Sequence, residues 1–370
     1  MTSPREVPVS FLDVLARKRD GLVNTAEDMV AICQGAANES VSDYQLTAWL
    51  MAAFLNGLND DETANLTLAM ARSGEILDLS GLPKPWLDKH STGGVGDKTT
   101  IVLLPLLAAC GLTVVKMSGR GLGITGGTID KLSSIAGMRL DLTPEEMKEQ
   151  AGRIGLALTG QTPRLAPADG RLYALRDVTG TVASLPLIVS SILSKKMAGG
   201  AEFVCLDVKC GRGAFMRTLP EATALARALE STGERVGLEV TATVTDMDQP
   251  FGRTIGNALE VKEAIRVLKG EQSRFADGCI FFAKKSLRLA GLDHSDEVVR
   301  DALEGGHALA KAKEWISSQG GDLVVFETEE WQVAPHQADV TAKATGWIAD
   351  VDADEALRRK VILGVGAAVI

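Results

Sequence analysis

The chain has 370 residues, 45% of them hydrophobic and 24% charged, with a formal net charge of −9. These proportions are ordinary for a soluble globular protein, and the length allows a large core shared between two domains. The acidic balance argues against a nucleic-acid binder that works by neutralising phosphates, but a local cationic pocket for a small anion remains compatible with it. The five cysteines, Cys33, Cys110, Cys205, Cys210 and Cys279, are scattered and mostly inside apolar runs. That pattern fits reduced thiols in a cytoplasmic protein better than disulfides or a zinc site. Residues 1–13 lack the basic start and long apolar core of a signal peptide, and the longest apolar run, Ile101 to Cys110, is too short to span a bilayer. Neither nucleic acid nor membrane is expected as a partner.

Phe11 to Arg19 and Ala26 to Ala37 have the apolar spacing of amphipathic helices. Ser42 caps a densely apolar helix, and Asp60 to Ser73 predicts another, with Asp60, Asp61 and Glu62 at its positive end. The chain up to Ser73 therefore reads as all-helical. The apolar excess of Leu46 to Leu58 fits either a dimer surface or a central helix. After Gly74 strands and helices alternate. Helices are predicted over Thr100 to Cys110, Gly127 to Ala136, Pro144 to Ile154 (capped by Thr143), Leu219 to Ser231 and Asn257 to Leu268. Strands are predicted over Leu112 to Met117, Leu156 to Gly160, Phe203 to Val208 and Val240 to Thr245. Such alternation predicts an α/β layer on a mainly parallel or mixed sheet. Between them, the stretch from Leu185 looks helical and would put Ser191 and Lys195 on one face; Tyr173 and Arg176 would share a face if their stretch is helical. In the tail, Asp296 to Ser317 reads as one helix and Leu323 to Phe326 as a short strand. Val361 to Ile370 is apolar and glycine-rich.

Two glycine-rich segments stand out: Asp88-Lys-His-Ser-Thr-Gly-Gly-Val-Gly-Asp97 and Ser118-Gly-Arg-Gly-Leu-Gly-Ile-Thr-Gly-Gly-Thr-Ile-Asp-Lys131. Each precedes a helical pattern. Glycine lets backbone N–H groups face an anion, and a helix N-terminus adds unpaired donors. With Lys, Arg, Ser and Thr interleaved, the pair reads as a phosphate cradle. Neither ends in the Gly-Lys-Ser/Thr of a P-loop, and the single Gly-x-Gly-x-x-Gly at Gly121 to Gly126 is a weak dinucleotide signal. His90 is the one histidine inside a glycine-rich segment; His294, His307 and His336 sit in ordinary tail contexts and are expected at the surface. Lys89, His90, Ser91, Ser118, Thr128, Arg176 and Lys195 supply donors and cations without a carboxylate pair, a serine triad or a metal cluster. Such a set suits attack by one anion and departure of another, as in phosphorolysis of an N-glycosidic bond, where the protein's contribution is positional and electrostatic.

The two glycine segments, together with Lys116-Met-Ser118, Tyr173-Ala-Leu-Arg-Asp-Val-Thr-Gly180 and Gly256-Asn-Ala-Leu-Glu-Val-Lys-Glu263, resemble the thymidine and pyrimidine-nucleoside phosphorylase family over residues 10 to 350. The resemblance implies a homodimer of two-domain subunits with a cleft that closes on substrate. A small α-helical, base-binding and dimer-forming domain would comprise residues 1–72 and 169–199. An α/β phosphate-binding domain would comprise residues 73–168 and 200–370, shorter than the family's usual C-terminal region. The implied activity is reversible phosphorolysis of uridine- or thymidine-like nucleosides to free base and (deoxy)ribose 1-phosphate. Carried over by position, Lys89, Ser91, Ser118 and Thr128 would hold phosphate. Tyr173, Arg176, Ser191 and Lys195 would hold the pyrimidine, Arg176 and Lys195 stabilising the departing base. His90 would lie near base O2 as a proton donor. Lys116 resembles the subgroup that accepts a ribose 2′-hydroxyl, which favours broad pyrimidine specificity.

No cofactor is required by this chemistry, although family members of the pyrimidine-nucleoside type hold a structural cation, here implied near Gly96 and Glu263. A small hydroxyl residue usually stands where this chain has Lys98, whose ammonium could pair with Glu263 in the cation's place. Two further departures are Ile124, where the family has histidine, and Ser133, where it has glutamate. Losing both members of a coupled pair leaves neither buried alone, so altered specificity is expected rather than lost activity. The alternatives are a phosphorylase of the same fold with another nucleoside preference, or a non-catalytic nucleoside- or phosphate-binding homologue.

Overall fold

The structure is a computed structural model and describes residues 10–121, 126–333, 335–341, 344–356 and 367–368. Ile124, most of the N-terminal stretch 1–13 and most of the apolar tail from Val361 lie outside the described residues. In chain order the elements are α1 (Phe11–Arg19), α2 (Ala26–Ala37), α3 (Asp43–Asn56), α4 (Asp60–Ala71), β1 (Trp86–Ser91), α5 (Thr99–Ala109), β2 (Thr113–Met117), α6 (Thr128–Leu132), α7 (Pro144–Ile154), β3 (Leu156–Thr159), α8 (Pro167–Thr179), α9 (Leu185–Ala198), β4 (Phe203–Cys210), α10 (Leu219–Val236) and β5 (Glu239–Asp246). The C-terminal part adds β6 (Thr254–Ile255), α11 (Asn257–Leu268), α12 (Arg274–Leu289), α13 (Asp296–Glu304), α14 (His307–Ser318) and β7 (Ala367–Ala368).

The chain forms two compact units. One comprises Met1–Asp78, Gln161–Ala201 and Arg227–Val240; the other comprises Leu79–Gly160, Glu202–Ala226 and Thr241–Ile370. The first is a helical bundle of α1 to α4 with α8 and α9. Its helices start where the sequence supplies caps: Thr25 and Asn59 accept from the backbone N–H three residues on, and Asp28 and Glu62 return the bond. Its core is Val14, Met29, Ile32, Leu46, Trp49, Leu50, Leu66, Leu172 and Leu187. Two of its buried polar groups are matched within the bundle: Trp49 Nε1 donates to Asn24 Oδ1 at 3.0 Å, and Lys18 pairs with Glu62 at 2.7 Å.

The second unit is built on a five-stranded sheet in the order β3-β2-β1-β4-β5. β1 pairs in parallel with β2 and with β4, and β2 pairs in parallel with β3. The apolar helix α5 is buried from Ile101 to Leu107 and packs with α12 and α14 over one face of the sheet. β1 is central, and the strand order reverses beside it. In an open parallel sheet that reversal is where ligands bind, beyond the carboxyl ends of the strands.

Three expectations change. Leu323–Phe326 is a 3₁₀ turn and not a strand, because Asp322 Oδ1 accepts from Val324 N at 2.9 Å and winds the segment. Asp296 to Ser317 is two helices, because the chain turns at Gly305 and at Gly306, whose φ is +84°. The predicted helix from Gly127 to Ala136 spans only Thr128–Leu132.

Candidate active site

In the helical unit, α8 starts with Pro167 in its first turn and ends at Gly180 in the left-handed conformation. Asp169, Tyr173 and Arg176, spaced by four and three residues, lie on one face of it. Ser191 and Lys195 lie on one face of α9. The two faces meet. Lys195 Nζ is 2.5 Å from Asp169 Oδ2, 2.8 Å from Ser191 Oγ and 5.6 Å from the centroid of the Tyr173 ring. The Arg176 guanidinium lies 5.8 Å from that ring. Its N–H groups donate to the carbonyl oxygens of Thr181 (3.4 Å), Leu187 (3.0 Å) and Val182 (2.7 Å), so three of its five donors hold the turn between the two helices.

Burial lowers the pKa values of Lys195 and Arg176, and the Asp169 charge opposes that shift in both. Burial pushes the Tyr173 phenol up to about 12, keeping it neutral. The cluster is thus a shielded cationic patch with one aromatic wall. Asp169 is the member that sequence reasoning missed, although its spacing from Tyr173 and Arg176 carried the signal.

In the α/β unit, β1 places successive side chains on opposite faces. Lys89 and Ser91 share one face, Asp88 and His90 the other. Lys89 is completely buried, and its Nζ makes no hydrogen bond among the described residues. Ser91 Oγ accepts from Gly93 N at 3.2 Å. Beside them β4 contributes Lys209, paired with Asp207 at 2.6 Å, with the Thr245 hydroxyl within reach of both. Burial alone would raise the Asp97 carboxyl, yet the charges of Lys89 and Lys209 and the hydroxyls of Ser91 and Thr99 hold it well below the usual carboxylate range. Lys209 and Asp97 were also missed. Lys209 lies on a strand of alternating apolar residues, where a lysine carries no motif.

The second glycine segment is organised by Asp130. Its Oδ2 accepts from Gly121 N at 2.7 Å and Gly127 N at 2.9 Å, and Arg120 lies 3.2 Å from Oδ1. A Cβ on Gly127 would stand 2.5 Å from Gly121 N, so only glycine allows this fold-back. Ser118 follows the last residue of β2, and Thr128 opens α6. Lys116 is buried, 3.3 Å from Asp88 Oδ1, and donates to the Lys89 carbonyl. His294, His307 and His336 are exposed.

The donors near Gly96 and Glu263 do not fit a bound cation, because the Lys98 ammonium already lies among them, 2.6 Å from Glu263 Oε2. Among the described residues no group of three or more His, Cys, Asp or Glu could hold a metal ion.

Two family models match the chain: the helical bundle domain of a glycosyl transferase family over residues 12–74, and the a/b domain of the same family over residues 83–309. The chain belongs to this glycosyl transferase family. It is 46% identical to the pyrimidine-nucleoside phosphorylase of Geobacillus stearothermophilus over 364 residues, 97% of this chain and 84% of that protein. It is 45% identical to the pyrimidine-nucleoside phosphorylase of Bacillus subtilis (strain 168) over 367 residues, with the same shares covered. Among solved structures, anthranilate phosphoribosyltransferase from Thermus thermophilus matches with a TM-score of 0.67 at 20% identity, covering 83% of this chain and 99% of that one. At that identity the likeness concerns the fold alone.

Proposed function

We propose that this protein catalyses the reversible phosphorolysis of pyrimidine nucleosides, giving free base and pentose 1-phosphate. One observation carries the reading: a shielded ammonium, Lys195, is held by Asp169 and Ser191 against the Tyr173 ring. A leaving pyrimidine departs as an anion, and a preset, water-poor cation stabilises that charge as it forms. The names of the relatives agree with it.

In the reaction, a phosphate oxygen forms a bond to the anomeric carbon as the bond from that carbon to the base nitrogen breaks. The bonding pair leaves with the base. Lys195 and Arg176 stabilise the base anion, Tyr173 and Ser191 orient the ring, and His90 supplies a proton near O2. The phosphate is taken by Lys89, whose buried Nζ has donors to give, with Ser91, Ser118 and Thr128 as neutral donors. Lys116, tied to Asp88 and to the Lys89 carbonyl, sets the end of β1 and through it the sugar side of the site. The test is direct: purified protein is incubated with phosphate and uridine or thymidine, and free base is followed. No turnover on any pyrimidine nucleoside rejects the reading; phosphate-independent release of base would do the same.

The helical unit exposes Leu12, Leu22, Tyr44, Met51, Phe54 and Leu55. Exposed apolar side chains in that number are a cost for a lone bundle and fit burial against a second copy. Light scattering on the wild type should give twice the chain mass, and Leu55→Glu should lower it toward one; a monomeric wild type removes the homodimer from the reading. The five cysteines are free thiols, and no helix of the described residues is long and apolar enough to cross a membrane. Free thiols accord with a cytoplasmic location.

A further inference from the structure

Lys98 stands immediately before α5, and its ammonium lies in the interior of the α/β unit. The side chain is 0% exposed and that of its partner Glu263 is 2% exposed. Nζ is 2.6 Å from Glu263 Oε2 and donates to the carbonyl oxygens of Phe251 (2.8 Å) and Thr254 (3.2 Å). An ammonium has three hydrogens, and one carboxylate with two carbonyls takes all three. The Phe275 ring closes the side, 5.1 Å from Nζ. Glu263 is saturated in turn, accepting from Arg253 N (2.8 Å), Thr254 N (2.9 Å) and the Thr254 hydroxyl (2.5 Å).

Two carbonyls and a carboxylate are hard oxygen ligands of the kind that hold K⁺ or Ca²⁺. Here the ammonium occupies their midst, and the surroundings are tight: a Cβ built on Gly252 would meet Nζ at 2.3 Å and Glu263 Oε1 at 2.6 Å. The cage also joins segments distant in sequence. Phe251 N donates to the Val95 carbonyl at 2.9 Å, so the first glycine segment, residues 251–254 and the second turn of α11 are tied at one point. A cation delivered on a side chain cannot dissociate, and most of its ordering cost is met when the chain folds.

We propose that the Lys98 ammonium is a built-in cation that fixes the first glycine segment on the 251–254 turn and α11, so that this unit needs no bound K⁺ or Ca²⁺. Lys98 is then a positioning residue. The experiment is thermal unfolding of the full chain, dialysed against chelator, in choline chloride and in KCl, NH₄Cl or CaCl₂ at equal ionic strength. The wild type should have the same Tm in all four. Lys98→Ser should melt about 10 °C lower in choline chloride, as expected for breaking a buried ion pair in a domain of this size. K⁺ or NH₄⁺, of ammonium-like size, should restore most of that loss. A saturable rise of the wild-type Tm with K⁺ or Ca²⁺ overturns the proposal. So does a Lys98→Ser variant as stable as wild type, or one that no cation stabilises. Should Lys98→Ser fail to fold, Glu263→Gln decides with the wild type: it keeps the ammonium in the cage, so its Tm should fall without any cation response, and a response overturns the proposal. The readout is thermal, so its outcome is independent of nucleoside turnover.

Discussion

Among single residues, the proposed chemistry depends on how Lys195 stays charged while buried. Burial lowers its pKa, and Asp169 pushes back through charge and a hydrogen bond. The ammonium is the form that stabilises a base anion, so activity should fall as pH rises through the lowered value. Asp169→Asn removes the opposing charge and should move the alkaline limb of the kcat profile to lower pH; an unmoved limb would detach Asp169 from Lys195. Lys195→Ala should reduce kcat by about 10²–10³-fold, the usual loss when one preset charge stabiliser is removed. Lys195, Tyr173, Arg176 and Ser191 were legible as a motif with helical spacing. Asp169 was not, because an acidic residue in a first helical turn reads equally well as a dipole partner.

Among helices and strands, what was legible followed local chemistry. α2 and α7 agree with expectation at both ends because caps and amphipathic spacing are local signals. β1 was hidden. It reads Trp-Leu-Asp-Lys-His-Ser, too polar for a buried strand. It is nonetheless the central strand, with Asp88 and Lys89 almost wholly buried. Its carboxylate is matched by Lys116 from β2, a partner 28 residues away. Pairing across the sheet makes the Asp88 charge tolerable, and no window of sequence displays it. The second glycine segment depends on one carboxylate, that of Asp130. Asp130→Ala should cost about 1 kcal/mol through the lost cap. It should also raise KM for phosphate about tenfold by loosening Gly121 and Gly127, with less effect on KM for nucleoside. Equal rises in both constants would count against a local role.

For the molecule as a whole, buried carboxylates set the acid limit. Glu263 and Asp97 are both held below their ordinary pKa values: burial opposes this, and Lys98 for one, Lys89 and Lys209 for the other, outweigh it. A depressed carboxyl contributes stability that is fully present above its unfolded value, about 4.3 for Glu and 3.9 for Asp. That contribution is lost as pH falls through the folded values. Tm should therefore be level from neutral pH down to about 5 and decline below about 4. Glu263→Gln should remove about 3 kcal/mol near neutrality, because Lys98 is left buried without its counter-charge, and should flatten the acid decline. A Tm unchanged between pH 6 and 3 would contradict this account.

Local sequence was enough to define the helical start, the α/β alternation, both glycine segments and the cationic residues on them. Each of these rests on neighbours within a few positions: caps, periodicity, and glycine where a side chain would collide. Which charges are matched was settled by folding, save that the family resemblance already pointed to Lys98 with Glu263. Lys98 with Glu263, Lys116 with Asp88, Lys209 with Asp207 and Lys195 with Asp169 are pairs buried in the interior. A buried charge is stable only beside its partner, and apart from Lys209 and Asp207, two residues apart on one strand, that partner arrives through the fold rather than along the chain.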